Sequence, residues 1–517
     1  MILKSLNPKE IIEMNSIIDK TKWYRQAVEG KVILTGTPSL GVIMDLSYPT
    51  FFYMKKEYGN YLNVEMMNKE SRAFIELCRT STKPIDNYFK KFRENADKLI
   101  HLCKEAEDID FNLISMEELR KFTKELDDLY LALWSEAFLC DKFDPEGDNY
   151  FKNELKKHNL NLDHEQITIL VRPQKLNFVE LSNLELCKIA KKFKDHDPSD
   201  DELLNVLGSF VKKFYFIQNS WGNVVLLTSK HFIEPLKEIL ALSIERIDEM
   251  ISGYEHLEEN TKKKAQELIE KLDLNEELQN VIYLYRKLAL LRDERKEVVL
   301  RTNYYCELIA RRFANEYNVE LKYTQNAFTF ELAEIKNKEE MDALIPNIEQ
   351  RLVSMVIGNF DKTTKDNDKN KKQPFIIDGN EATTIINKFH SKLVEKFNSI
   401  KGMVACNGEG NDNIVIDDND NPIVNGEIKI ILGETHFTKF NEGDILVTAM
   451  TRPEFLPLMK KAKAVITDEG GLTCHASIVS RELNIPCIIG THIATKKLFD
   501  NKEVVMDMKT GVIKLIE

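Results

Sequence analysis

The sequence predicts a multidomain protein in which a mainly α-helical N-terminal and central region is followed by a C-terminal α/β domain. The chain has 517 residues, which at the usual domain size corresponds to about three domains. Apolar residues in the middle of the chain recur at steps of three and four, the spacing of amphipathic helices. Near the C-terminus, short apolar and β-branched runs alternate with a helical pattern, which is typical of an α/β layer.

Composition divides the chain into four segments. The short apolar run 31–34 predicts a strand, whereas residues 361–372 are polar and free of aromatic residues, which is typical of a mobile loop or linker. Two apolar stripes mark helices of the central segment: Leu236, Leu240, Ile244, Ile247 and Ile251, then Leu278, Ile282, Tyr285 and Leu288. The segments are an N-terminal mixed segment, a helical central domain, a helix with a charged linker, and the α/β domain: residues 1–78, 79–345, 346–400 and 401–517.

The overall composition argues against several classes of function. A formal net charge of −12 disfavours general nucleic-acid binding and attraction to an anionic membrane surface. The eight cysteines form neither a Cys-x-x-Cys pair nor a Cys/His ladder, so we expect reduced thiols and no metal site. The N-terminus lacks the apolar core of a signal peptide, and no uncharged apolar run is long enough to span a bilayer. We therefore expect a cytoplasmic protein with neither nucleic acid nor membrane as a partner.

The stretch 464–490 has the most specific local pattern in the chain. Residues 464–467 are apolar and β-branched and predict a buried strand, and residues 487–490 predict a second one. Between them, Gly470 and Gly471 indicate a turn, and residues 474–483 predict a helix for which Thr473 is a suitable N-cap. This arrangement places His475 in the first turn of a helix, directly after a glycine loop.

That position suits a histidine that is transiently phosphorylated. A helix N-terminus offers unpaired N–H groups and partial positive charge, which together bind phosphate. A neutral imidazole is a good nucleophile near neutral pH. The alternative is a histidine that only packs in the core or caps the helix, which is the usual role of a single histidine outside a motif.

The surrounding sequence favours the phosphorylated histidine, because the run from Gly470 to Pro486 reads GGLTCHASIVSRELNIP. It resembles the swivelling phosphohistidine domain of phosphoenolpyruvate (PEP)-utilising enzymes, a family that includes PEP synthase, pyruvate phosphate dikinase and rifampin phosphotransferase. The resemblance implies that His475 is the phosphoryl acceptor and that Gly470, Gly471 and Thr473 belong to its catalytic loop. Thr473 also matches a regulatory phosphorylation site of the plant dikinase, although a helix cap is the favoured interpretation. Cys474 departs from the family, which commonly has serine there.

Four arginines are possible contacts for the phosphate or for an acceptor. Arg452 lies in a loop that resembles a loop of the same domain, and a solvated surface role is the alternative. Arg481 is six positions from His475, so we expect it to orient the helix, dock the domain or form an ion pair. Arg292 and Arg295 lie in a stretch that resembles the central domains of the family, where they would clamp a phosphate or carboxylate. A solvated helix face is the alternative for this pair.

The resemblance covers neither a nucleotide-binding nor a PEP-binding domain. We find no glycine-rich phosphate loop, and residues 1–78 are too few for an ATP-grasp domain. The sequence ends at Glu517, soon after the histidine domain closes, so we expect no PEP-binding barrel in this subunit. The resemblance therefore implies a phosphotransferase subunit of a split PEP synthase/dikinase-like system. A separate ATP-grasp protein, with ATP and Mg²⁺ at its own site, would phosphorylate His475, and a small-molecule acceptor would bind in the helical central domain.

Two other classes of function remain open. One is a non-catalytic regulatory or binding paralogue that kept the fold and lost its donor. The other is a phosphocarrier protein that has no small-molecule acceptor of its own. The intact glycine–threonine–histidine pattern argues against the first, and the large helical region, which a simple carrier does not need, argues against the second.

Overall fold

A computed structural model of the chain describes residues 3–28, 31–46, 48–54, 58–143, 148–194, 199–220, 222–359, 374–394, 400–417, 420–451, 453–470, 474–491, 493–498 and 500–516. Its first part alternates helices and strands: α1 Pro8–Lys20, β1 Trp23–Val28, α2 Val32–Asp45, β2 Thr50–Met54 and β3 Tyr58–Asn63. The central part is helical: α3 Val64–Arg79, α4 Lys83–Glu105, α5 Met116–Ala137, α6 Asp148–Lys157, α7 His164–Val171, α8 Phe178–Lys192, α9 Asp200–Phe214, α10 Ile233–Leu240, α11 Ile244–Glu255, α12 Leu257–Lys271, α13 Glu276–Tyr317, α14 Leu321–Gln325, α15 Thr329–Glu334 and α16 Lys338–Val353.

The remaining elements follow in two groups. The first group is β4 Met355–Asn359, β5 Phe375–Asp378 and α17 Gly379–Val394. The second forms the C-terminal α/β domain: β6 Ile400–Lys401, β7 Met403–Cys406, β8 Val415–Ile416, β9 Pro422–Ile430, β10 Ile445–Thr448, α18 Leu456–Met459, β11 Ala464–Thr467, α19 His475–Glu482, β12 Cys487–Ile489, α20 Ala494–Lys497, β13 Glu503–Asp507 and β14 Val512–Leu515. The structure thus confirms a mainly helical centre followed by a strand-rich C-terminal region.

The strand predicted at residues 31–34 is wrong, because these residues begin the buried helix α2. A short apolar run does not distinguish a strand from a fully buried helix. Two glycines allow this helix to approach its neighbours closely. A Cβ on Gly36 would lie 2.5 Å from the Phe328 ring, and one on Gly41 would lie 2.6 Å from Cβ of Trp134.

An antiparallel sheet joins the two ends of the helical region, which the sequence patterns did not predict. Within the described residues its strand order is β1–β3–β2–β4–β5, so the N-terminal strands pair with strands that follow α16. One face is covered by α1 and α17, with Phe51 and Phe389 in the core between them, and the other packs on the helices through Phe52 and Ile357. Segment 346–400 is therefore more than a helix and linker, although its charged stretch 361–372 lies outside the described residues.

The C-terminal domain is built on a mixed sheet with the order β6–β14–β13–β9–β10–β11–β12–β7, and β8 pairs with β9. Its centre, β9–β10–β11–β12, is parallel. Ala476 and Val479 of α19 belong to the core on one face, and Ala494 of α20 belongs to the core on the other. These layers fix the loops that leave the carboxyl ends of the central strands. Among the described residues, no helix combines the length and the apolar character that crossing a bilayer requires.

Candidate active site

His475 lies at the carboxyl ends of the central parallel strands. The unit β11–α19–β12 confirms the predicted strand–loop–helix–strand pattern, and α19 begins at His475 itself. The N-cap residue is Cys474, rather than the predicted Thr473, and its side chain makes no capping hydrogen bond. In open α/β sheets this edge is where ligands bind, because the loops there converge and the helix N-termini point toward them.

A buried carboxylate anchors the start of the loop before His475. Asp468 accepts hydrogen bonds from the Thr491 hydroxyl at 3.0 Å, from the backbone N–H of Thr495 at 3.2 Å and from the Thr495 hydroxyl. The backbone N–H of Glu469 donates to the Ala449 carbonyl at 2.8 Å. The loop is therefore tied to the ends of β10 and β12 and to α20, and its position is set by several strands at once.

Gly470 shows why a glycine is needed in this loop. Its φ is +121°, a conformation that residues with a Cβ rarely adopt, and a Cβ would lie 2.7 Å from Sγ of Cys474. Glycine thus allows the chain to fold back over the thiol before α19 begins. The other predicted loop residues, Gly471 and Thr473, lie outside the described residues, as does Arg452, so their predicted roles remain predictions.

A threonine that the sequence patterns did not single out as a site residue holds the imidazole of His475. Thr451 follows β10, and its Oγ1 lies 2.8 Å from Nδ1 of His475. When Nδ1 carries the proton it donates to this hydroxyl, and Nε2 then has the unprotonated lone pair. In that tautomer Nε2 is the nucleophilic nitrogen of the ring, and Nδ1 is occupied by Thr451. The available signal was the position of Thr451, just past the carboxyl end of a strand next to β11.

The imidazole faces the helical part of the molecule and is half-buried there. Burial, and to a lesser degree the positive charge of Lys296 on α13, lower the pKa of His475 from 6.5 to about 4. The ring is therefore neutral at physiological pH, as a nucleophile must be. One further contact supports the same packing: Lys152 of α6 donates to the thioether sulfur of Met403 at 3.2 Å. Glu482 of α19 also acts electrostatically on Tyr254 of α11.

The α13 segment that faces His475 contains two of the predicted arginines and two residues that were not selected. Lys296 acts on both His475 and Asp293, so these three side chains lie in one neighbourhood. Burial raises the pKa of the Asp293 carboxyl to about 6, although Lys296 and Arg292 oppose this shift. Arg292 also donates to the Cys140 carbonyl at 3.4 Å. The sequence pattern that could have indicated Lys296 is its spacing of four from Arg292, which places both residues on one helix face.

Arg295 binds a carboxylate of the protein itself, whereas the sequence analysis weighed a clamp for a phosphate or carboxylate against a solvated helix face. Its guanidinium donates to both carboxylate oxygens of Asp141 and, at 3.0 Å, to the Ala137 carbonyl. It also lies over the Trp134 ring, 5.2 Å from the centroid. Both side chains of the ion pair are about 12% exposed or less. Arg295 therefore ties α13 to the end of α5, whereas the positive charge of Lys296 acts on His475.

Arg481 bends back over its own helix. Its Nε donates to the Ser477 carbonyl at 2.8 Å, and burial lowers its pKa. The charge lies near three cysteine thiols, those of Cys406, Cys474 and Cys487.

The residues described here offer no group of three or more histidine, cysteine or acidic side chains that could hold a metal ion. The described groups at this site include an imidazole nucleophile, a helix N-terminus and the cations of α13. A neutral imidazole beside a phosphate-binding helix end and a lysine is suited to receive and release a phosphoryl group.

Comparison with known proteins agrees with this geometry. Residues 440–511 match the family model described as the PEP-utilising enzyme, mobile domain. The chain is 52% identical over 91 residues to a probable phosphoenolpyruvate synthase of Archaeoglobus fulgidus, an alignment that covers 18% of this chain and 12% of that protein. It is 51% identical over 88 residues to the phosphoenolpyruvate synthase of Pyrococcus furiosus, covering 17% and 11%. A third relative, from Methanothermobacter thermautotrophicus, is 50% identical over 91 residues, covering 18% and 13%.

These similarities are confined to a small part of each protein, since the chain spans about an eighth of the length of the curated relatives it matches. The match to the family model includes the whole unit β11–α19–β12 that carries the candidate nucleophile. Residues 440–511, which hold Thr451 and His475, are similar to the PEP-utilising enzyme mobile domain.

Proposed function

We propose that this chain is a phosphotransferase subunit of a split, dikinase-like system, in which His475 carries a phosphoryl group from a nucleotide-binding partner to an acceptor. The observation that carries the proposal is the state of the His475 ring. Thr451 engages Nδ1 at 2.8 Å, and burial keeps the ring neutral, with a pKa of about 4. Nε2 is therefore the atom that bears the phosphoryl group.

The transfer divides into two displacements at phosphorus. In the first, Nε2 attacks the phosphoryl group of the donor, the new N–P bond forms and the donor's bridging oxygen leaves with the electron pair. In the second, an acceptor oxygen attacks from the opposite side, the N–P bond breaks and its electron pair returns to Nε2. A covalent intermediate of this kind connects two distant sites through two in-line steps.

The face of α13 supports an acceptor site next to His475. Lys296 and Arg292 supply positive charge where a phosphoryl group would be transferred, and such charge stabilises the developing negative oxygens. Asp293, with a pKa of about 6, is suited to take the proton from an acceptor hydroxyl. This cationic neighbourhood favours an acceptor in the helical region over a carrier that lacks one.

The donor in this proposal is a separate ATP-grasp protein, with ATP and Mg²⁺ at its own site. Since His475 faces α13 in the structure, the C-terminal domain has to move away from that face before a donor in trans can reach Nε2. The sequence predicts that the domain swings on a 361–400 linker, but β5 and α17 lie within that stretch and β5 pairs with β4. Residues 395–399, which join α17 to the C-terminal domain, lie outside the described residues. The movement is therefore part of the proposal.

The test is acid-labile, base-stable labelling of the chain from γ- and β-labelled ATP. The chain is incubated alone and with purified candidate ATP-grasp proteins, and H475A is the control. We expect label only with a partner, lost in H475A, and discharged when the acceptor is added, with pyruvate as the first probe. Label on the chain alone would contradict the need for a partner. No label with any mixture would favour the non-catalytic paralogue.

A further inference from the structure

Among the residues that the structure describes, one arginine of α13 lacks the carboxylate partner that four other arginines of the same helix have. The four ion pairs are Arg295 with Asp141, Arg301 with Glu297, Arg311 with Glu307 and Arg312 with Glu316. Arg286 makes no ion pair within the described ranges, although its side chain is half-buried. Its guanidinium therefore differs from those that tie α13 to its neighbours.

The guanidinium of Arg286 lies at the seam between α13 and α7. Its Nε donates to the Leu170 carbonyl, near the end of α7. Its Nη2 is sealed from solvent and has no hydrogen-bond acceptor in the described part of the chain. The surroundings are apolar, since Ile167, Leu170 and Val171 of α7 are buried and belong to the main hydrophobic core. One end of the guanidinium is thus held by the protein, and the other end is not.

A half-buried cation with an unused donor is unfavourable, because the donor has lost water and gained no acceptor in return. Burial lowers the pKa of Arg286, and no carboxylate of the described residues opposes this shift. At Arg295, by contrast, burial is outweighed by Asp141, which raises the pKa. Arginine keeps its proton in proteins, so Arg286 cannot relieve the cost by becoming neutral. An anion at Nη2 would supply both the missing charge and the missing acceptor.

The open end of this guanidinium suits an oxyanion. With Nε held by Leu170, the two Nη groups present adjacent N–H donors, which match two oxygens of a carboxylate or phosphate. Helical spacing also places Arg286 on the same face of α13 as Asp293, about two turns and 10 Å further along the helix. The open donors therefore lie on the face of α13 that carries the carboxylate assigned to the acceptor site.

We propose that Arg286 forms a binding site for an oxyanion, a carboxylate or a phosphate group, at the seam of α7 and α13. The anion accepts hydrogen bonds from the Nη end, while the Leu170 carbonyl fixes the plane of the guanidinium through Nε. In a role that rests on the proposed function, this oxyanion is the charged end of the acceptor. The oxyanion site itself is independent of phosphoryl transfer.

The first experiment measures thermal unfolding of the full-length chain against inorganic phosphate and, separately, against pyruvate, with sodium chloride at matched ionic strength as the baseline. We expect saturable stabilisation by at least one oxyanion, because a ligand that binds the folded chain raises its melting temperature. R286M should raise the midpoint concentration about tenfold or more, since the charge and the paired donors are lost. K287M is the matched control: Lys287 already has a partner in Asp86 at 3.5 Å, so the midpoint should change by less than about twofold.

The two ligands distinguish the source of the oxyanion. Stabilisation by phosphate alone assigns the site to a phosphate ester, and stabilisation by pyruvate alone assigns it to a carboxylate. No stabilisation beyond that of chloride, or equal midpoints in the wild type and R286M, overturns the proposal. If R286M does not fold, R286K replaces it. Lysine keeps the charge but not the paired donors, so R286K should also weaken binding.

The acceptor role is tested on chain that has been labelled at His475 with the nucleotide-binding partner. R286M should need about tenfold more pyruvate for half-maximal discharge of the label, with no change in the rate of labelling. Equal requirements for pyruvate overturn the acceptor role. Absence of label in the wild type overturns the proposed function alone, because the thermal titration detects the oxyanion site independently.

Discussion

The two sides of the candidate active site are held in place by different kinds of contact. On the C-terminal domain, Thr451 reaches His475 across 24 positions of sequence and Asp468 reaches Thr495 across 27. On the helical region, Arg295 reaches Asp141 across 154 positions. The side on the C-terminal domain is assembled within one β–α–β neighbourhood. The side on the helical region needs α5 and α13 to pack together before the charged side chains of α13 are in position.

This difference means that the two sides should respond differently to mutation. Neighbouring residues of α13 have opposite roles, since Arg295 is committed to an internal ion pair and Lys296 faces His475. A substitution on α13 therefore changes either the packing of the helical region or the electrostatics of the site. Substitutions next to His475 change the reacting ring directly.

The largest expected effect is on stability, from R295M. Removing the guanidinium leaves the carboxylate of Asp141 buried without its ion-pair partner, which costs about 3–5 kcal/mol. The matched variant K296M should cost about 1 kcal/mol or less, because Lys296 is half-exposed. Urea denaturation of the two proteins measures the difference. Equal losses of unfolding free energy in the two variants would contradict the assignment of a structural ion pair to Arg295 and of a site-facing charge to Lys296.

An intermediate effect is expected from T451V, which removes the hydroxyl that binds Nδ1 of His475. Loss of this bond, worth about 1 kcal/mol, should slow phosphorylation of His475 about fivefold to tenfold. Thr451 is a positioning residue, so ¹⁵N NMR should also show that the ring no longer prefers a proton on Nδ1. T451S, which keeps the hydroxyl, should behave like the wild type. A normal tautomer ratio in T451V would contradict this role.

The smallest expected effect is the change that K296M makes in the pKa of His475. This pKa reports contact between the two sides of the site. We expect a midpoint of about 4 in an NMR titration, rising in K296M but remaining below 6.5 because burial is the larger cause. Because this pKa is lower in the folded chain, His475 of the unfolded chain takes up its proton at higher pH. The free energy of unfolding therefore falls as pH decreases from 6.5 toward 4. A wild-type midpoint near 6.5 would mean that α19 is not packed against α13 in solution.

The comparison also indicates which features could be predicted from the sequence. The unit β11–α19–β12 was predicted with His475 at the start of the helix, because apolar strands, a glycine turn and a helical run are short-range patterns. The N-cap was misplaced by one residue, since Thr473 and Cys474 are both compatible with that pattern. Thr451 was not selected, because only the parallel pairing of β10 with β11 brings it beside the ring.

The helical side was less predictable. The sequence indicates the stretch that contains Arg292 and Arg295. Which of Arg295 and Lys296 faces His475, however, depends on where α5 ends and where α19 docks. The run at residues 31–34 was assigned to a strand because its length cannot separate a strand from a buried helix, and the partners Phe328 and Trp134 that determine α2 are far away in sequence.

The sequence by itself determined a helical centre, a C-terminal strand–loop–helix unit and the candidate nucleophile His475, because each depends on contacts between residues close in the chain. Only the tertiary structure decided that Thr451 engages Nδ1, that Lys296 faces the ring and that Arg295 is held by Asp141. It alone also decided that the thiols of Cys406, Cys474 and Cys487 meet around Arg481. The physical reason is the same in each case: these neighbours are set by strand pairing and helix packing between distant segments.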